Sequence, residues 1–71
     1  MKFQVNDIVM YSGNFLRSIC DFSKETADRR MKIERIVEIN ERITLCKMRD
    51  IRSGEPVSSL TGNLEHAKGV L

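Results

Sequence analysis

Short apolar segments alternate with polar turn signals along the whole chain. Ile, Val, Phe and Leu gather in short runs, and the runs are separated by clusters rich in Gly, Asn, Asp, Ser or Pro. These clusters are Asn6-Asp7, Ser12-Gly13-Asn14, Asn40-Glu41, Ser53-Gly54-Glu55-Pro56 and Thr61-Gly62-Asn63. Short strands joined by frequent turns are typical of all-β proteins. The pattern therefore predicts a mainly all-β fold, and we expect one small domain over residues 1–71.

The first two predicted strands lie on either side of Ser12-Gly13-Asn14. Ile8–Tyr11 is a continuous apolar run, which indicates a strand buried on both faces. Phe15–Phe22 follows, and the Gly and Asn between the two runs tolerate the positive φ of a tight hairpin loop. The sequence therefore predicts that these segments pair. Residues 24–30 carry no apolar side chain except Ala27, and we expect an exposed loop there.

Residues 31–48 predict a second, central hairpin. If Asn40–Arg42 is a three-residue loop, Ile39 faces Ile43 and Val37 faces Leu45, and these four side chains form a buried apolar cluster. The other predicted pairs are Glu38 with Thr44, Ile36 with Cys46, Arg35 with Lys47 and Glu34 with Met48. A two-residue loop would scatter the apolar set.

A helix over about residues 24–40 is the alternative for the first half of this hairpin. Glu, Ala, Arg, Met and Lys in this segment are good helix formers. The apolar stripe of the helix would contain Ile33, Ile36 and Val37, but Ile39 falls outside it. The hairpin is favoured because the helical stripe is incomplete.

The last third of the chain predicts one more strand and a helical turn. Gly54 and Pro56 indicate a sharp turn, and Val57–Leu60 has the composition of a short strand. Asn63 is a suitable N-cap for a single helical turn over Leu64–Ala67, because its side chain can accept a free N–H. Residues 68–71 predict a short strand or a frayed end.

The charge of the chain is nearly balanced overall and basic in one place. Twelve Lys and Arg oppose ten Asp and Glu, and this net charge of +2 is too small to indicate nucleic-acid binding by itself. Between positions 42 and 52 four cations accompany one anion. Such a stretch is either a solvated face or a nucleic-acid site. The candidate nucleic-acid-binding residues are Arg35, Lys47, Arg49 and Arg52, and the first three share a face in the predicted register.

Residue types that carry catalysis or hold metals are sparse. Cys20, Cys46 and His66 have no zinc-site spacing, and we expect the two cysteines to be buried structural thiols. His66 is expected to be solvated, and no Gly-rich phosphate loop is present. We therefore expect no enzyme activity, no cofactor and no metal.

The first residues do not have the pattern of a secretion signal, because Asn6 and Asp7 interrupt the apolar run. No apolar stretch approaches the ~20 residues of a membrane helix. We therefore expect a cytoplasmic location, reduced thiols and no membrane partner.

Three segments together resemble a known family. FQVNDIVMY, KIERIVEINERITLCKMRD and SGEPVSSLTGNLEHA resemble the opening, the middle hairpin and the end of small SH3-like barrels, including KOW and Tudor-type modules. Asn6 stands where those barrels commonly carry Gly. The resemblance implies a five-stranded barrel with one short helical turn near the C-terminus. It also implies a module that binds nucleic acid, ribosome, polymerase or peptide.

Three non-enzymatic functions follow as hypotheses. The first is a binding module or small regulator that acts through protein–protein contacts. The second is a nucleic-acid-binding module in transcription or translation, which would use the basic hairpin face with stacking from Tyr11 or Phe15. The third is a homo-oligomer that completes its core by association, since so short a chain buries little surface alone.

Overall fold

The computed structural model describes residues 3–67, which form one antiparallel five-stranded sheet and two short helices. The strands are β1 (Ile8–Tyr11), β2 (Met31–Glu38), β3 (Thr44–Asp50), β4 (Pro56–Leu60) and β5 (Leu64–His66). The helices are α1 (Gly13–Ser18) and α2 (Lys24–Asp28), and a 3₁₀ turn covers Thr61–Asn63. The order in the sheet is β4-β3-β2-β1-β5, so within residues 3–67 the sheet has two edges and is not closed. A mainly β fold is thus confirmed.

The segment after β1 is helical, and the prediction of a strand over Phe15–Phe22 was wrong. Ser12 caps α1, because its Oγ accepts the Phe15 N–H at 3.1 Å and its carbonyl accepts the Leu16 N–H. A serine before Gly-Asn can cap a helix as readily as it can open a turn. Cys20 then turns the chain in a left-handed conformation, with φ of 55°.

A second capped helix occupies the predicted loop over residues 24–30. The Ser23 Oγ accepts the Thr26 N–H at 3.3 Å, and Glu25 lies in the first turn, where a negative charge is favourable. The alternative helix over residues 24–40 holds only for α2. Residues Met31–Glu38 are in β2, which pairs with β1 and β3.

The central hairpin is confirmed in most of its register. Its predicted pairs Glu38–Thr44, Val37–Leu45, Ile36–Cys46 and Arg35–Lys47 are all present. Asn40 shapes the turn, because its Oδ1 accepts the N–H groups of Arg42 and Ile43 at 2.8 and 2.9 Å. The pair Glu34–Met48 was wrong: a bulge between Ile33 and Arg35 sets Ile33 opposite Met48.

The buried side of the sheet is not the predicted one. The core consists of Phe3, Val9, Met31, Ile33, Cys46, Met48 and Leu64. Val37 and Leu45 are only partly buried, and Ile39 and Ile43 are exposed, so the predicted buried cluster was wrong. The bulge at Glu34 explains this outcome, because one extra residue lets Ile33 and Ile36 share the inner face.

The last strand pairs with the first and forms one edge of the sheet. Leu64–His66 is β5 and pairs with β1, so the helical turn predicted over Leu64–Ala67 was wrong and the 3₁₀ turn lies just before it. Val57–Leu60 is in β4 as predicted. In β1 only Val9 is fully buried, so burial on both faces was also wrong there. The prediction for residues 68–71 lies outside the described residues.

Candidate functional site

Strand alternation divides β3 into a core face and an outer face. Cys46, Met48 and Asp50 are buried, and the residues between them lie on the opposite side of the sheet. We define the outer hairpin face as the side of β2, β3 and β4 turned away from the core, together with Ile39 and Ile43 at the hairpin turn. Its residues form cross-strand rows about 7 Å apart.

The rows have different chemistry. Ile39 hydrogen-bonds across the turn to Ile43, with 2.9 Å from its N to the carbonyl O. The next row is Val37, Leu45 and Leu60, followed by Arg35, Lys47 and Ser58, and then by Lys32, Arg49 and Pro56. The outer hairpin face is therefore apolar near the turn and cationic at the other end.

The apolar half is open to solvent. Ile39, Ile43 and Leu60 are 57, 39 and 42% exposed. Val37 and Leu45 are partly exposed between them. Single exposed apolar residues are ordinary, but a contiguous set on one sheet face is typical of a contact surface.

Arg35 and Lys47 face each other in the cationic half without a compensating carboxylate. Both are exposed, and the side chain of neither forms a hydrogen bond or ion pair with any residue among 3–67. Like charges directly opposite each other on a sheet are destabilising. The pair therefore provides two positive charges that are free to interact with an anionic group.

Arg49 lies on the same face but is already engaged. Its Nε is 3.2 Å from the Glu34 Oε2, and one of its terminal nitrogens donates to the Gly54 carbonyl at 2.6 Å. The bulge projects Glu34 toward this arginine. Of the three cations predicted to share a face, Arg35 and Lys47 are thus the two without partners in the described chain.

Arg52, the fourth predicted residue, lies elsewhere, in the β3–β4 turn. That turn is organised by Asp50, whose Oδ1 accepts the N–H groups of Arg52 and Ser53 at 2.8 and 3.0 Å. The Asp50 Oδ2 is 3.2 Å from the Arg29 Nε. The Ser53 N–H is the largest reason why the pKa of Asp50 is lowered, and the Arg52 N–H and the Arg29 charge act in the same direction. Asp50 is therefore a structural carboxylate.

A groove of ≈ 590 Å³ adjoins this turn, between α2 and the residues after β3. Its lining mixes both signs of charge, with Arg29, Arg30 and Arg52 among Glu25, Asp28, Asp50 and Glu55. Arg30 is partly engaged, because one of its terminal nitrogens donates to the Ala27 carbonyl at 3.1 Å. No single charge dominates the groove, so it is not an evident anion site.

The two cysteines differ from each other. Cys46 is buried as predicted, and its burial raises the pKa of the thiol. Cys20 is exposed, so the prediction of burial was wrong for it. Both thiols are free.

His66 makes a contact that sequence reasoning missed. Its Nε2 is 3.1 Å from the Asp7 Oδ2, and its ring centroid is 4.7 Å from that of Phe3. The Gln4 N–H is the largest reason why the pKa of Asp7 is lowered, followed by His66. No group of three or more His, Cys, Asp or Glu among residues 3–67 is arranged to hold a metal ion.

Tyr11 and Phe15, the predicted stacking residues, pack on each other with ring centroids 5.2 Å apart. Both are partly buried, and they belong to β1 and α1 rather than to the strands that carry Arg35 and Lys47. None of the helices within residues 3–67 is long and apolar enough to span a membrane.

No protein-family model, curated protein or solved structure gives a significant match to this chain. The function of this chain is therefore inferred from the geometry of the outer hairpin face.

Proposed function

We propose that this protein is a non-enzymatic binding module, a small regulator that contacts a protein partner through the outer hairpin face. The observation that carries the proposal is the contiguous apolar half of that face, in which Ile39 is 57% exposed. Covering these side chains removes apolar surface from water, at about 25 cal/mol for each Å² buried. A protein surface can supply such a cover, whereas a phosphate backbone cannot.

We further propose that the fold is of the small SH3-like barrel type, and the strand topology supports this proposal although the sheet over residues 3–67 is open. Consecutive strands β1 to β4 pair as a meander, with β1–β2 joined through the two helices, and β5 returns to pair with β1. Asn6, in the position where those barrels commonly carry Gly, has a φ of 78°. A cytoplasmic location is proposed with it, in agreement with the free thiols of Cys20 and Cys46.

Nucleic-acid binding is the second candidate, supported by the facing pair Arg35 and Lys47. Three observations count against nucleic-acid binding. Arg49 is already paired with Glu34, Arg52 lies in a different turn, and the net charge is only +2. The apolar half of the face would also remain uncovered by a phosphate backbone. A homo-oligomer that uses this face is the third candidate.

Affinity capture with matched variants tests the proposal. The bait is the full chain, and Ile39→Ser with Ile43→Ser removes apolar surface from the outer hairpin face. Phe22→Ser is the control, because Phe22 is 79% exposed but lies between α1 and α2. We expect a protein from the source cells to be retained by wild type and control after nuclease treatment, and to be lost with the double variant.

Two outcomes would count against the proposal. Retention that disappears with nuclease, together with a steep loss of oligonucleotide binding as salt increases, would support the nucleic-acid candidate. Equal retention by wild type and the double variant would show that the partner does not use this face.

A further inference from the structure

We infer that the partner segment that covers the outer hairpin face is an acidic amphipathic α-helix. This inference rests on the proposed function and specifies the chemistry of the partner. The helix would lie along the strands, with apolar side chains over the half near the hairpin turn and carboxylates over Arg35 and Lys47.

The helical form follows from what the face presents. The sheet face itself presents side chains: β3 is paired with β2 on one side and with β4 on the other, and β2 is paired with β3 along its length, although β1 covers its other side only near Met31 and Lys32. An extended peptide lying on Val37, Leu45 and Leu60 would leave its own N–H and C=O groups without partners. An α-helix satisfies these groups internally and can present one apolar stripe.

The spacing of the rows also suits a helix. Successive rows are about 7 Å apart along the strands, and an α-helix rises about 5.4 Å per turn. Apolar residues one turn apart would therefore meet the Ile39–Ile43 row and the Val37–Leu45–Leu60 row. Residues on the same stripe one to two turns further along would lie over Arg35 and Lys47.

The acidic character follows from the unpaired cations. A partner that covers the apolar half reaches the edge of the Arg35–Lys47 row, and it partly removes these charges from water. Such desolvation is costly unless an opposite charge is supplied. Carboxylates would provide that charge and would also relieve the repulsion between the two cations.

The described part of this chain does not offer such a helix. α1 (Gly13–Ser18) contains no acidic residue, and α2 (Lys24–Asp28) has Ala27 as its only apolar residue. A second copy placed fully over the outer hairpin face would bring its cationic half against apolar residues or against other cations. The charge pattern therefore points to a different protein.

A helical peptide of defined composition tests the inference directly. The probe is a fluorescent, roughly 18-residue peptide of Leu, Ala, Gln and Glu, cross-linked to hold the helix. Leu occupies one stripe, and two Glu follow on the same stripe. A matched probe carries Lys in place of these Glu, and a third has the same composition with Leu distributed around the helix. Binding to the full chain is measured by anisotropy, and the contact residues are mapped by amide chemical shifts.

We expect the acidic probe to bind, the lysine probe to bind roughly tenfold more weakly or worse, and the scrambled probe not to bind. Shifts should be confined to the outer hairpin face. Lys47→Glu should reverse the preference between the acidic and lysine probes. Lys24→Glu, which makes the same charge change on α2, should leave it unchanged.

Several results would overturn the inference. Equal affinity for the acidic and lysine probes, or no effect of Lys47→Glu, would mean that the charges do not select the partner. Sedimentation that shows a dimer broken by Ile39→Ser would assign the face to a second copy, and preference for an oligonucleotide would assign it to nucleic acid. If all probes fail while a cellular protein is still lost with the Ile39→Ser/Ile43→Ser variant, the proposed function stands and only the acidic helix is wrong.

Discussion

Asn6 shows how a single residue can be constrained by backbone geometry. Its φ of 78° lies in the left-handed region, and its N–H donates to the Ile33 carbonyl at 2.7 Å. Asparagine and glycine tolerate this conformation better than other residues. The Asn-Asp pair was correctly interpreted as a turn signal, and the structure adds that this turn ties the segment before β1 to β2.

Substitution of Asn6 tests this constraint. Asn6→Ala should lower the free energy of unfolding by about 1 kcal/mol, because a β-carbon is unfavourable at positive φ. Asn6→Gly should be close to neutral. Urea denaturation of the three proteins measures the differences. Equal losses for alanine and glycine would show that the asparagine side chain, and not its backbone conformation, is what stabilises the turn.

The two cysteines differ in their accessibility to solvent. A thiol reagent added to the native, reduced protein should modify Cys20 rapidly, whereas Cys46 should react only on unfolding, because it is buried and its pKa is raised. Spectroscopic titration should therefore show one fast thiol, and two after denaturation. Cys20→Ser should remove the fast phase. Two fast thiols in the native protein would contradict the burial of Cys46.

At the scale of elements, the bulge in β2 decides which residues form the core. Without it, the hairpin register would assign both faces by simple alternation from the turn. With it, Ile33 joins the inner face, and the set nearest the turn, including Ile39 and Ile43, remains outside. The same bulge places Glu34 beside Arg49. One inserted residue therefore shapes both the core and the charge of the outer hairpin face.

A pair of truncations tests which face is buried. Ile33→Ala should lower the free energy of unfolding by roughly 2–5 kcal/mol, because Ile33 is fully buried. Ile39→Ala removes the same atoms from an exposed position and should change the free energy of unfolding by no more than about 0.5 kcal/mol. Urea denaturation followed by circular dichroism compares them. A larger loss for Ile39→Ala would place the core on the side that the sequence pattern predicted.

At the scale of the whole molecule, carboxylates that accept local N–H groups set the response to acid. The pKa values of Asp7, Asp21 and Asp50 are lowered from the ordinary value of 3.8. The largest cause in each case is a backbone N–H, that of Gln4, Ser23 and Ser53, respectively. A lowered pKa means that the charged carboxylate stabilises the folded state. This contribution is complete above the unfolded pKa of about 4 and is lost as pH falls through the folded pKa.

We therefore expect the contribution of these carboxylates to stability to be constant between about pH 5 and 7 and to fall below about pH 4. Urea denaturation at a series of pH values measures the slope. Asp50→Asn should make the acid-dependent loss smaller, because one of the lowered groups is removed. Ser58→Ala, which removes no titratable group from an exposed position on β4, is the control and should leave the slope unchanged. Stability that does not fall between pH 4 and 2 in the wild type would contradict the expectation.

The amino-acid sequence alone determined the features that depend on neighbours along the chain. These are the mainly β composition, the turns at Asn6-Asp7 and Asn40–Arg42, and the central hairpin with its register around Val37–Leu45 and Arg35–Lys47. Turn chemistry and strand alternation act over a few residues, so they can be read directly. The sequence was therefore sufficient to predict that Arg35 and Lys47 face each other across the hairpin.

Features that depend on residues distant along the chain emerged only when the strands and helices packed together. Ser12 and Ser23 are equally suited to turns and to helix caps, and the cap was realised in both places. Leu64 is in a strand because it pairs with the free edge of β1. Asp7 contacts His66, which lies 59 positions away in the sequence. The choice of buried face required Phe3, Val9 and Leu64 to pack with the hairpin. Burial is a property of the whole assembly of strands, and local pattern alone left two possible faces for the hairpin.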